Sequence, residues 1–209
     1  KIDSNHNIVS GNIANNNSYG IDLEDSNYNI VSGNIANNNA YGIYLDESYT
    51  NNVSGNAANN NGYAGIELSS SDNNDILGNT ANNSAIGIFI FFSDYNTVSG
   101  NTANNNEDGI VISTSKENII SGNIANNNLN GIRLYASKDN TISGNTLIGN
   151  DECIVESGFC EGNTFDDNGG CTYGKISIEL IILISVISGG AVIGVATLLL
   201  IRRKRKRKE

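Results

Sequence analysis

Seven glycines, at Gly11, Gly33, Gly55, Gly78, Gly100, Gly122 and Gly144, follow one another at spacings of 22, 22, 23, 22, 22 and 22 residues. A fixed period of this size describes a solenoid, in which each unit buries its apolar face only against its neighbours. One complete unit reads SNYNIVSGNIANNNAYGIYLDE, residues 26–47, and the repeat fills residues 1–149.

The columns of the repeat state what the fold holds constant. Ile21, Ile43, Ile66, Ile88, Ile110, Ile132 and Ile154 form one column, and Leu23, Leu45, Leu68, Ile90, Ile112 and Leu134 lie two residues on. A third column runs from Val9 and Val31 to Ile142, and a fourth from Ala14 and Ala36 to Leu147. Between the first two columns stand Asp22, Tyr44, Glu67, Phe89, Val111 and Arg133, which change character freely. Apolar, variable, apolar is the pattern of a strand with one buried face. The inward parity changes at Ser32–Gly33 and again across Asn37–Asn39 and Gly42, so the chain turns there. The expectation is three short strands per unit, seven units of about 22 residues, and a parallel β-helix roughly 34 Å long at ~4.8 Å per rung.

Asparagines occupy two further columns, Asn7 to Asn140 and Asn12 to Asn145. Asparagine accepts turn conformations, and amides stacked in register can hydrogen-bond as a ladder, so these columns are read as structural. A leucine-rich repeat fails, because Ser48 and Asp46 stand where its apolar residues would precede Asn51. The glycine–aspartate calcium nonapeptide is absent.

Segments such as NTVSGNTANN (residues 96–105) and GIVI (109–112) resemble the repeats of the NosD-like and carbohydrate-binding or sugar-hydrolase β-helix families. The resemblance covers residues 1 to about 150 and implies an all-β, right-handed parallel β-helix. It leaves function open, since such folds serve enzymes, binding modules and structural rods. The copper role implied by the NosD name does not carry over to these residues. The chain has no methionine, one histidine (His6) and three cysteines confined to one stretch, so neither a metal nor another cofactor is expected.

That stretch, residues 150–175, reads as a C-terminal cap and juxtamembrane linker. Cys153, Cys160 and Cys171 are its disulfide candidates, with the pairing open and an oxidising exterior implied. Residues 180–201 carry no charge and would span about 33 Å as a helix, so a transmembrane helix is expected over 178–201. The tail 202–209 begins with seven consecutive bases, which places it in the cytoplasm and against anionic lipid. Before residue 176, five bases face 20 acids, a net of −15. That division argues for a membrane partner and against a nucleic-acid one. Lys1 enters in the middle of a rung, so earlier rungs are expected in the parent chain.

For chemistry, hydrolysis needs converging carboxylates and elimination needs a base beside them. Asp22 and Glu67 share a column with Tyr44 between them, and Asp46, Glu47, Asp72 and Asp75 form a corner set, with no nearby lysine or arginine. These acids are read as a solvated surface, and no catalytic residue is assigned. The ligand-binding candidates are Tyr19, Tyr41 and Tyr63, which follow one corner, and Tyr44 and Phe89, which face outward by strand parity; such rings can stack on sugar faces or dock a surface protein. Phe91 and Phe92 face outward beside them. Asn16, Asn52 and Asn82 head Asn-x-Ser sequons and are glycosylation candidates. The functional expectation is a non-catalytic, membrane-anchored extracellular module that binds carbohydrate or another surface polymer. The alternative is a polysaccharide lyase or hydrolase whose active face lies on preceding rungs.

Overall fold

The computed structural model describes residues 1–170. The expected membrane segment, the basic tail and Cys171 lie outside the described residues. Within them the chain is all β, a right-handed parallel β-helix of about seven rungs. Fifteen strands alternate between three-residue and six-residue lengths, from Ile8–Ser10 (β1) and Tyr19–Glu24 (β2) to Thr164–Asp166 (β15). The short strands stack into an eight-stranded sheet and the long ones into a seven-stranded sheet, and every pairing is parallel. Register follows the columns: Ile43 pairs with Ile66, Ile66 with Ile88, and Ile88 with Ile110.

The core is the space between the two sheets. Ile43, Ile66, Ile88, Ile110 and Ile132 meet Leu45, Leu68, Ile90, Ile112 and Leu134 from one wall, and Val31, Val53, Ile76, Val98, Ile120 and Ile142 from the other. Small residues from Ala36 to Ala125, ending in Leu147, fill the third side. Apolar side chains of like size lie one rung apart, so each rung covers the apolar face of the one before.

The third wall corrects the expectation of three strands per unit. It is reduced to one bridging residue per rung, along Ile13, Ile35, Ala57, Thr80, Thr102, Ile124 and Thr146. The reason is the closeness of two left-handed corners, Gly33 at φ +63° and Asn38 at φ +58°, which leave only four residues between them. The backbone bonds continue across this wall, as in Ile35 N–H to Asn12 O at 2.8 Å. Two more left-handed corners fall in each rung, at Tyr28 and Glu47 in residues 26–47. Glycine marks them only in the last described rung, at Gly158 and Gly162.

A second glycine column is required by close approach instead. A Cβ at Gly87 would lie 2.7 Å from Asn106 Nδ2 and 2.8 Å from Ala103 Cβ. Asn106 belongs to a third ladder, and a serine column forms a fourth. In the ladders each amide oxygen accepts the bonds of the preceding rung while its own N–H groups donate to the following one. Asn56 donates N–H and Nδ2–H to Asn79 Oδ1, both at 2.9 Å, while Asn79 Nδ2 donates to Val53 O at 2.8 Å and to Asn101 Oδ1 at 3.0 Å. Buried corner amides are thereby paired without water.

Candidate functional site: the outer face of the long sheet

Three outward columns cover the long sheet. One holds Tyr19, Tyr41, Ala64, Ile86, Asp108 and Asn130; the next holds Asp22, Tyr44, Glu67, Phe89, Val111 and Arg133; the last includes Asp46, Ser69 and Phe91. Aromatic side chains gather on the first four rungs. Their ring centroids form an unbroken series: Tyr19 to Tyr41 5.0 Å, Tyr41 to Tyr63 5.1 Å, Tyr63 to Phe89 6.3 Å, Phe89 to Phe91 5.5 Å and Phe91 to Phe92 4.4 Å. Tyr44 leans on Tyr41 at 5.4 Å and on Tyr19 at 5.2 Å. All five sequence-derived ring candidates are therefore brought together, with Phe91 and Phe92 extending them.

The single 23-residue spacing explains how Tyr63 joins them. Its extra residue falls at Gly62–Ala64, because Asn39 still bonds Asn61 at a separation of 22 whereas Tyr41 pairs with Ala64 at 23. Ala64 thus takes the sheet position of Tyr41, and Tyr63 is pushed out beside it. Tyr63 remains 42 % exposed while Ala64 is fully buried.

Beneath the rings lies Glu67, and here the solvated-surface expectation is corrected. Glu67 is only 6 % exposed, flanked along its column by Tyr44 and Phe89. Its Oε2 is enclosed and meets no hydrogen-bond donor. Burial, with a smaller contribution from the Asp46 charge, pushes its carboxyl up to about 7. The Tyr44 hydroxyl is pushed up to about 12, chiefly by burial, with the Asp46 and Glu67 charges adding to the rise. Burial and then the Glu67 charge also raise Tyr41 and Tyr63. The variable column is exterior by parity, yet its large neighbours seal it; Val111 is buried for the same reason.

Two rungs beyond Glu67, Asp108 is likewise buried. It accepts from Asn130 Nδ2 at 2.6 Å and from Arg133 Nη1 at 3.3 Å. Arg133 therefore has an acidic partner that reading along its own column misses, since the contact runs diagonally from the preceding rung.

The remaining candidates separate. The acidic corner set does not converge: Asp72 Oδ1 accepts the Asp94 N–H at 2.7 Å as a corner bond, and Asp75 is exposed. Among the described residues no group of three or more His, Cys, Asp and Glu side chains could hold a metal ion. Asn16 is an exposed left-handed corner. Asn82 Oδ1 accepts the Asn104 N–H at 2.7 Å, and Asn52 buries its Oδ1 without a partner beside a shallow cavity of ≈ 230 Å³. Tyr28, Thr50 and Asp75 line that cavity, which opens along the short sheet away from the rings. Cys153 and Cys160 are not joined to each other; their thiols point to Leu147 O and Ser157 O.

Fold and face together define a parallel β-helix with an aromatic platform on its long sheet. The chain belongs to the family described as periplasmic copper-binding protein (NosD), whose model matches residues 2–118 and 91–169. No curated protein matches it. Among solved structures it is similar to the mannuronan C-5 epimerase AlgE4 A-module of Azotobacter vinelandii, at 18 % identity and a TM-score of 0.65, over 80 % of this chain and 56 % of that one. The periplasmic alginate epimerase AlgG aligns at 22 % identity and TM-score 0.60, over 76 % and 45 %. An alginate lyase from Paenibacillus aligns at 15 % identity and TM-score 0.52, over 76 % and 78 %. The chain spans about half the length of the epimerase chains, and the likeness establishes the fold. The copper of the family description does not fit these residues: the chain offers no thioether, a single imidazole, and described thiols turned toward backbone carbonyls.

Proposed function

We propose that the chain is a non-catalytic, membrane-anchored binding module that holds a saccharide polymer along its aromatic platform, outside the cell. One observation carries this reading: the rings from Tyr19 to Phe92 form a continuous series on one exposed face. A rigid stripe of rings one rung apart offers repeated stacking surfaces to a repeating ligand. Each stacked ring contributes about 1 kcal/mol, so affinity comes from several rungs acting together. The similarity in fold to the epimerases and the lyase agrees with a sugar ligand, and anchoring follows from the uncharged stretch 180–201.

The buried Glu67 carboxyl is the observation that favours the enzymatic alternative, because an acid held near 7 suits proton transfer. Against it, the rungs on either side of Glu67 carry no lysine or arginine, whether in its own column or in those beside it. The full chain in detergent should retain oligosaccharides without shortening them, and Tyr41→Ala with Phe89→Ala should weaken retention at least tenfold. Release of shortened products would replace this reading with catalysis at Glu67.

A further inference from the structure

Glu67 poses an electrostatic problem that the protein's own residues do not solve. A buried carboxylate normally has a counter-charge or several donors. Each of the four bases among the described residues is engaged elsewhere: Lys1 with Glu24, Lys116 with Asp94, Arg133 with Asp108 and Lys138 with Glu161. The groups around Glu67 supply no positive charge either. The strand Tyr41–Asp46 contributes Tyr41, Tyr44 and Asp46, the inserted corner contributes Tyr63, and the strand Ile86–Phe91 contributes only Phe89. Four electron-rich rings thus surround an acid with an unpartnered oxygen, on a face that also carries Asp22 and Asp46.

We infer that Glu67 and the rings of Tyr41, Tyr44, Tyr63 and Phe89 form a subsite for a positively charged nitrogen, so that the saccharide taken by the platform is one bearing protonated amines. This rests on the platform reading above and adds the ligand's class to it. Ring faces attract an ammonium through their quadrupole, and a carboxylate beneath them supplies the full counter-charge. The same arrangement disfavours a uronate polymer, whose carboxylates would meet Glu67, Asp46 and Asp22 and a domain of net −15 before residue 176. Linkage gives the direction of the pH effect. Free Glu67 holds its proton up to about 7, so a bound ammonium releases that proton, and affinity for a permanently charged ligand rises with pH through this range.

The test uses the full chain in detergent and glucosamine oligomers of one length, with free amines, N-acetylated or N-trimethylated, alongside a neutral β-glucan oligomer. Choline serves as a competitor that carries the ammonium without the sugar. The trimethylated oligomer should be retained about tenfold more tightly than the N-acetylated one, increasingly so as pH rises. In Glu67→Gln that ratio should fall to about one and lose its pH dependence. Equal retention of the two oligomers by the unmodified chain overturns the inference without any variant, as does a preference that survives in Glu67→Gln. Neutral oligomers retained with no amine preference would leave the platform standing and sink only this subsite, whereas retention of none sinks both. Competition by choline as effective as by the amino-sugar oligomer would overturn the saccharide as the source of the charge.

Discussion

Ile88 sits at the middle of the core column with no exposure, between Ile66 and Ile110 in register. Ile88→Asp would place a carboxylate there with no partner on either rung, at a cost of about 4 kcal/mol, visible as a fall in melting temperature. An unchanged melting temperature would refute the register. Glu67 is the opposite case, an acid the protein tolerates under its rings. Its folded carboxyl lies above the value of 4.5 that an exposed glutamate has, at about 7. Between those two pH values the folded state holds the proton more often than the unfolded one. Stability therefore declines as pH rises through that window, by roughly 1 kcal/mol after solvent screening is discounted. Denaturant titrations of Glu67→Gln should show this slope removed; a slope unchanged in the variant would mean that Glu67 does not hold the proton. The column Asp22, Tyr44, Glu67 and Phe89 was legible as exterior from its alternation, but its burial was not. Burial there depends on the size of side chains a rung away and on where one inserted residue sends Tyr63.

At the scale of the strand and corner, the ladders hold what the core cannot. Asn79 is almost wholly enclosed, and its amide serves Asn56, Val53 and Asn101 at once. Asn79→Ala would strand those partners away from water and cost about 3 kcal/mol, with amide exchange accelerating first at Asn56 and Asn101. Uniform acceleration along the whole rod would argue against a local role. The two asparagine columns, the inward apolar columns and the glycine corners were all readable, because each needs one residue type and so repeats visibly. The reduced third wall was not, nor were the corners at Thr50 and Phe92. Those corners hold left-handed backbone in residues that seldom adopt it, and backbone bonds from the rungs on either side impose it. Where the surrounding rungs dictate conformation, the column carries no consensus to read. The diagonal pairing of Arg133 with Asp108 escapes a column reading in the same way, since it joins different columns of successive rungs.

On the scale of the whole chain, charge is distributed in two blocks: net −15 before residue 176, then seven consecutive bases from Arg202 to Lys208 after an uncharged stretch. Basic residues flanking an apolar span stay on the cytoplasmic side because moving them across the bilayer is costly. The proposed orientation puts the β-helix and its ring platform outside, where a surface polymer can reach Tyr19 through Phe92. Protease applied to intact cells should then remove the rod, although its stacked hydrogen bonds will slow cleavage and make digestion start at exposed corners such as Asn16. An epitope at residues 202–208 should survive until the membrane is permeabilised. Loss of that epitope in intact cells, with the rod spared, would reverse the orientation and remove the platform from any extracellular ligand. Retention of both before permeabilisation would mean that the chain does not reach the surface at all. Only the first pattern is compatible with a module that gathers a surface saccharide, since the rings and the polymer must share a compartment.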